Sequence, residues 1–179
     1  MPEHTNPPHR VALRTPRPAE LSRDIRGASD LLTAGRRRIV ALGLTSAACM
    51  GVIALYQIGS IRHLPEPPLP LTNADKVDAS EDAYARLSVG DAFIGFASYS
   101  ATMLLAAIGG PRRHEASPWL PVALAAKVGF DAAQAAKLSV DQWTKHRAFC
   151  TWCLVAAGAT FAAVPAVLPE LRAALRRRT

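Results

Sequence analysis

Two cysteines separated by two residues, in Cys150-Thr151-Trp152-Cys153, are the part of this chain best suited to chemistry. A dithiol at that spacing can cycle between thiols and a disulfide, needing only an attacking thiolate and a partner to resolve the intermediate. The same spacing also serves metal ligation and structural disulfides. Zinc takes about four ligands, and His146, one helical turn before Cys150, is the third candidate. His63 is the fourth, provided the long loop folds back. If residues 149–168 form a helix, the two sulfurs share a face near its first turn. There the backbone N–H groups, with Lys145, His146 and Arg147 just upstream, favour a thiolate. His146 is also a candidate proton carrier. Trp152 offers either an aromatic wall for a quinone ring or an anchor in lipid.

The elements that must position this pair read as membrane spans. The chain has 179 residues, half of them apolar, with 21 basic residues against 14 acidic ones and a net charge of +7. Charged residues cluster and apolar residues come in long blocks, which a soluble domain rarely does. Aromatics make up only 6% and do not alternate with basic residues, so nucleic acid is not the expected partner. Four runs are candidate spans: 39–58, 92–108, 119–136 and 149–168. In the first, Gly43, Ala47 and Gly51 repeat every four positions, which lets a neighbouring helix come close, and Cys49 reads as a small buried hydrophobe. In the third, Lys127 and Asp131 are four apart; they either pair within the bundle or serve a substrate pocket or proton route.

Between the runs lie distinct connections. Residues 1–20 read as a mobile tail rich in proline and arginine, and 21–38 as an amphipathic helix on the membrane surface. No small-residue cleavage motif follows the first run, so a usual signal peptide is not expected. Residues 62–91 hold six acidic and three basic residues, a proline-rich stretch, a short helix around 79–87 and no cysteine. Residues 137–149 read as a polar return loop with Trp143 at the interface. Fourteen basic residues fall on the side of the termini and six on the other. The positive-inside rule therefore predicts a multi-pass protein of the inner or plasma membrane, both termini cytoplasmic and the CxxC near the extracytoplasmic face, where a disulfide can persist.

The acidic outer loop after the first span, the four spans, and HRAFCTWCLVAAGATF opening the fourth resemble the bacterial branch of the vitamin K epoxide reductase family over residues 36–170. The resemblance implies an all-α integral membrane four-helix bundle around a quinone site, flanked by a basic cytoplasmic segment (1–35) and a basic tail (171–179). It implies that Cys153 is the quinone-proximal thiolate and Cys150 its resolving partner, with menaquinone or ubiquinone as the oxidant. In that family two loop cysteines pass electrons from a thioredoxin-like periplasmic protein to the CxxC. Here the corresponding DKVDASEDAY has none, which makes the chain an atypical member. Ser80 is implied to match the loop serine that lines the quinone site. A membrane thiol:quinone oxidoreductase with a shortened relay, partner dithiol to Cys150–Cys153 to quinone, is the expectation, supporting disulfide formation. The alternative is a non-catalytic membrane structural or interaction protein. An exposed, reducible pair favours the first and a shielded pair the second.

Overall fold

A computed structural model describes residues 17–85 and 89–176. Most of the expected mobile tail, Arg86 of the outer loop, and Arg177 and Arg178 lie outside the described residues. Helix α1 (Pro18–Gly27) starts with proline, whose missing N–H costs nothing in a first turn. Asp30 then opens α2 (Leu31–Gln57) by accepting from the N–H groups of Leu32 (3.0 Å) and Thr33 (2.9 Å). The surface helix expected over 21–38 is therefore two elements. The Asp30 cap divides it, and Leu31, Leu32 and Arg36 to Arg38 belong to the first long helix.

The short helix expected around 79–87 is also displaced. Asn73 caps α3 (Ala74–Asp78), accepting from Lys76 N–H at 2.9 Å, and the chain restarts after Ser80 as α4 (Glu81–Tyr84). Helix α5 (Asp91–Ala107) lies within a residue of the expected second span. After α6 (Arg113–Ala116), α7 (Trp119–Asp141) runs beyond the expected end at 136 and widens into a π-helical turn, Gln142–His146. What reads as a return loop is helical because Asp141 pairs with Lys137 (2.6 Å) and Lys145 (3.7 Å), each four residues away. Arg147, with φ 51°, ends it. Helix α8 (Thr151–Leu175) continues through Pro165 and Pro169 rather than stopping near the first; prolines are tolerated in helices of apolar surroundings.

Helix α2 packs on α5 and α8, and α7 packs on α8 and, less extensively, α5. The small residues of α2 make that approach possible, though not quite as their spacing predicts. A Cβ on Gly43 would lie 2.6 Å from Met103 Cγ, and one on Gly35 only 2.7 Å from the Ala166 carbonyl oxygen, whereas Gly51 faces nothing within 4 Å. Two apolar clusters result. One is built around Ile39, Leu124, Val128 and Val167. The other joins Ile53 and Ala54 to Leu64, Ala74, Val77 and Cys150, so the segment after α2 packs as part of the core.

Among the described residues, α2 and α8 are long and apolar enough to cross a membrane. Only 39% and 28% of their most apolar windows are buried, so most of that apolar surface faces outward, as lipid-contacting surface does and the core helix of a soluble protein does not. Helix α5 is apolar but shorter.

The end of the helices remote from the CxxC is held by charge. Glu170 of α8 is clasped by Arg113, with Nε and Nη2 each 2.8 Å from a carboxylate oxygen, and Arg36 approaches to 3.8 Å. Arg113 also donates to the Ile108 carbonyl (2.8 Å) and Arg36 to that of Gly110 (3.2 Å). All three side chains are buried. Two arginines that read as cytoplasmic topology markers thus have a second task, tying the tight 108–118 connection to α2 and α8.

Candidate functional site

Cys150 is the N-cap of α8, in extended backbone, and its sulfur accepts from Cys153 N–H at 3.2 Å. A cap and the third residue of the following helix lie on one side of its first turn, so the CxxC spacing brings the sulfurs together. The N–H of Cys150 itself donates to Gln142 Oε1 (2.9 Å), a side chain that the π-helical turn aims inward. Such turns are often found at functional sites.

A cover formed by residues 62–80 lies over Cys150. Its strand-like contact, Thr72 with Phe149, is made by Asn73 N–H to the Phe149 carbonyl (2.9 Å) and Phe149 N–H to that of Leu71 (2.8 Å). Glu66 accepts from Ala74 N–H (2.7 Å) and from Thr151 Oγ1 (3.2 Å), while Trp152 Nε1 donates to the Pro65 carbonyl (2.8 Å). As a result Cys150 is 0% exposed. Cys153 is only partly covered and lines a cavity of about 370 Å³.

That cavity lies among α2, α5, α7, α8 and the α3–α4 segment. Met50, Ile53, Ile94, Phe130 and Ala157 give it apolar walls, and Ser98, Tyr99 and Gln134 add polar groups. Its lining runs from the exposed Asp82 and Lys145 to the buried Asp131. The size and mixture suit a small, largely apolar ligand with polar ends. Ser80 lies in the lining, its hydroxyl donating to the Val77 carbonyl (2.7 Å), and so does His146, 4.0 Å from Asp82. Trp152 does not line the cavity; it is turned to Pro65, where it ties down the cover.

The electrostatics differ from the sequence expectation. Lys145 pairs with Asp82 (3.0 Å) and Asp141 (3.7 Å), and the hydrogen bond to Asp82, with both carboxylate charges, raises its pKa. Arg147 stacks over Trp143 at 5.3 Å. Those cations are engaged elsewhere, and a carboxylate faces the sulfurs instead. Asp78, at the end of α3 and 4% exposed, has Oδ1 3.6 Å from Cys153 Sγ. Its Oδ2 is buried without a hydrogen-bond partner. Burial pushes the Asp78 carboxyl up to about 6; the hydrogen bonds of Cys150 and Cys153 work against this, and the charges of Asp91 and Glu66 add to it.

The donor atoms of Asp78, Cys150 and Cys153 lie within 4.8 Å of one another. Among the described residues this group is one short of the four ligands of a structural zinc. His146 is not in it, and His63 is 84% exposed and bonded to Asp75 at 2.7 Å.

Lys127 and Asp131 do pair, and the pair is part of a wider network. Thr102 Oγ1 donates to Asp131 Oδ2 (2.6 Å), Ser98 Oγ to Asp131 Oδ1 (2.9 Å), and the ammonium reaches both hydroxyls. Asp131 also borders the cavity. Cys49 is buried, as its place in an apolar run predicts.

The sequence alone does not single out Asp78, Gln142 and Glu66. For Asp78 a signal existed: Ala74, Val77 and Asp78 share one face of a helix at i, i+3 and i+4, so the face that docks carries a carboxylate.

The family model described as Vitamin K epoxide reductase family matches residues 37–168. No curated protein and no solved structure matches the chain.

Proposed function

The chain belongs to the vitamin K epoxide reductase family, and on that premise we propose that it is a membrane thiol:quinone oxidoreductase, passing electrons from a thiol partner through Cys150–Cys153 to menaquinone or ubiquinone and so supporting disulfide formation. Membership supports a thiol/quinone role in general terms. The observation that carries the specific reading is Cys153, whose sulfur borders the cavity while hydrogen-bonded through its own N–H to Cys150. In this reading the four helices α2, α5, α7 and α8 form a membrane bundle spanning residues 36–170, with a basic segment before it and a basic tail after it. Both termini are cytoplasmic, and the cavity lies at the outer end.

The reading includes the atypical relay. The chain's three cysteines leave none in the outer loop, and Ala74 and Val77 fill the cover above Cys150 with apolar side chains. A thioredoxin-like partner then meets the pair directly. Its thiolate attacks Cys150 of the disulfide, forming a mixed disulfide and releasing Cys153 as a thiolate; its second thiol displaces Cys150, leaving the partner oxidised and the pair reduced. Because Cys150 has no exposed surface, this exchange requires the 62–80 cover to lift. When bound, the quinone is the acceptor of two electrons and two protons. Cys153 faces it, Ser80 and His146 border it, and the apolar walls exclude water.

The burial of Cys150 also favours a second reading, in which the pair is structural and the chain a non-catalytic membrane protein. Quinone reduction by purified protein in detergent, driven by a small dithiol, separates the two. Turnover in the wild type that disappears in Cys150→Ser and Cys153→Ser supports the oxidoreductase. Folded wild type that reduces neither menaquinone nor ubiquinone analogues supports the structural reading.

A further inference from the structure

We propose that Asp78 is a catalytic residue, the proton acceptor for the Cys153 thiol as the pair is oxidised. The inference rests on the thiol:quinone reading for its place in turnover, but the contact on which it stands does not. Three observations point to it. The carboxylate lies 3.6 Å from the Cys153 sulfur; its second oxygen is buried and has no hydrogen-bond partner; and it lines the same cavity as that sulfur. A buried carboxylate kept for stability is normally paired with a cation, as Glu170 is with Arg113. Asp78 has thiols on one side and carboxylates in its wider surroundings.

The step balances without any further reactant. Oxidation of the pair breaks two S–H bonds, forms one S–S bond and delivers two electrons to the quinone named above, on which two O–H bonds form. Asp78 takes the Cys153 proton, releases it to a quinone oxygen, and in its ionised form takes the second proton from Cys150, whose sulfur is within 4.8 Å of it. A carboxyl that titrates near the working pH is suited to accept and release protons in turn, and burial has moved Asp78 toward that range.

Other ionisable groups near it do not replace this role. Glu66 is bonded to the Ala74 and Thr151 backbone and side chain, Asp91 accepts from Gln57 (2.8 Å), and Tyr56 directs its hydroxyl to the Asp75 carbonyl (3.5 Å). Lys145 and His146, on the π-helical turn that packs against α3, both turn to Asp82.

The test has two arms. In the first, reduced protein without quinone is alkylated by iodoacetamide between pH 5 and 8, and the Cys153 peptide is followed by mass spectrometry. The wild-type rate is expected to change slope at about pH 6 as the carboxyl ionises beside the thiol, and Asp78→Asn to lose that break, because its amide does not titrate. Superimposable profiles overturn the inference, whether or not the protein turns over. If the amide variant does not fold, Asp78→Ala is read in the same way. In the second arm, quinone reduction by Asp78→Asn is expected to fall on the order of 10²-fold and to lose its acid limb, which His146→Gln retains whatever it does to the rate. Activity within twofold of the wild type with the limb intact overturns the catalytic role. An Asp78-dependent alkylation profile in a protein that reduces no quinone leaves the thiol–carboxylate pairing standing and removes the oxidoreductase reading.

Discussion

Two carboxylates lie buried at opposite ends of α8, and their surroundings are opposite. Glu170, 2% exposed, receives two bonds from Arg113 and the approach of Arg36, and both arginines also reach backbone carbonyls of the 108–118 connection. Asp78, 4% exposed, has two thiols for company and one oxygen with no partner. A buried charge costs several kcal/mol unless compensated. Around Glu170 the compensation is nearly complete and the arrangement fixes geometry. Around Asp78 it is withheld, and the carboxyl is left able to gain and lose a proton. Between them, Asp131 with Lys127, Ser98 and Thr102 is satisfied like Glu170 yet borders the cavity like Asp78.

The sharpest way to break this comparison is to remove the thiols. Cys150→Ser or Cys153→Ser is expected to reduce quinone turnover to the background rate while leaving the Glu170 end folded; Cys49→Ala, outside the cavity lining, is expected to keep wild-type turnover. Equal loss in all three would dissolve the division between a working end and a holding end. Next in size, Glu170→Ala leaves two arginines buried without their partner and is expected to destabilise by about 3–5 kcal/mol, read as a fall in folded yield and thermal midpoint in detergent. Replacing Glu170, Arg113 and Arg36 together by apolar residues of similar size is expected to recover most of that loss.

Asp78→Asn should act in the opposite direction on stability. The folded carboxyl titrates at about 6 against an ordinary 3.8, so the folded state holds the proton more tightly than the unfolded one. Its favourable contribution is present below about pH 3.8 and is lost as pH rises through about 6. At pH 8 the variant is therefore expected to be more stable than the wild type, by at most about 3 kcal/mol, with little difference at pH 4. Thermal unfolding at the two pH values checks it, and a destabilised variant at pH 8 would place Asp78 with Glu170 as a holding residue. The smallest effect expected is that of Trp152→Phe, which removes the hydrogen bond to Pro65 at a cost of about 1 kcal/mol and speeds alkylation of Cys150 under the cover.

Much of this arrangement was legible in the sequence, and the parts that were not share a cause. The apolar runs gave the long helices, to within a residue for α5, because composition and length decide those. The CxxC was visible as a site because two thiols at that spacing meet on any helix start. The division at Asp30 was also readable from its capping residue type, but the leucines on either side continue a helical rhythm across it. Arg36 and Arg113 read as topology markers because a sequence displays their charge and hides the glutamate that the fold brings back to them, 57 residues further on in the case of Arg113. Likewise nothing local to Gln142 or Glu66 says that each will hold the chain beside Cys150; those are tertiary contacts across 8 and 85 residues. The expected cationic setting of the thiols failed for the same reason: Lys145 and Arg147 are close in sequence but find Asp82 and Trp143 in space.

The bond from Trp152 to Pro65 has an optical consequence. An indole whose N–H is held by a carbonyl in a packed loop emits differently from one released into water or lipid. Of the chain's three tryptophans, this one is fastened to the cover and sits between the two cysteines. Its fluorescence therefore reports, without any added label, how often and how fast Cys150 comes within reach of a partner.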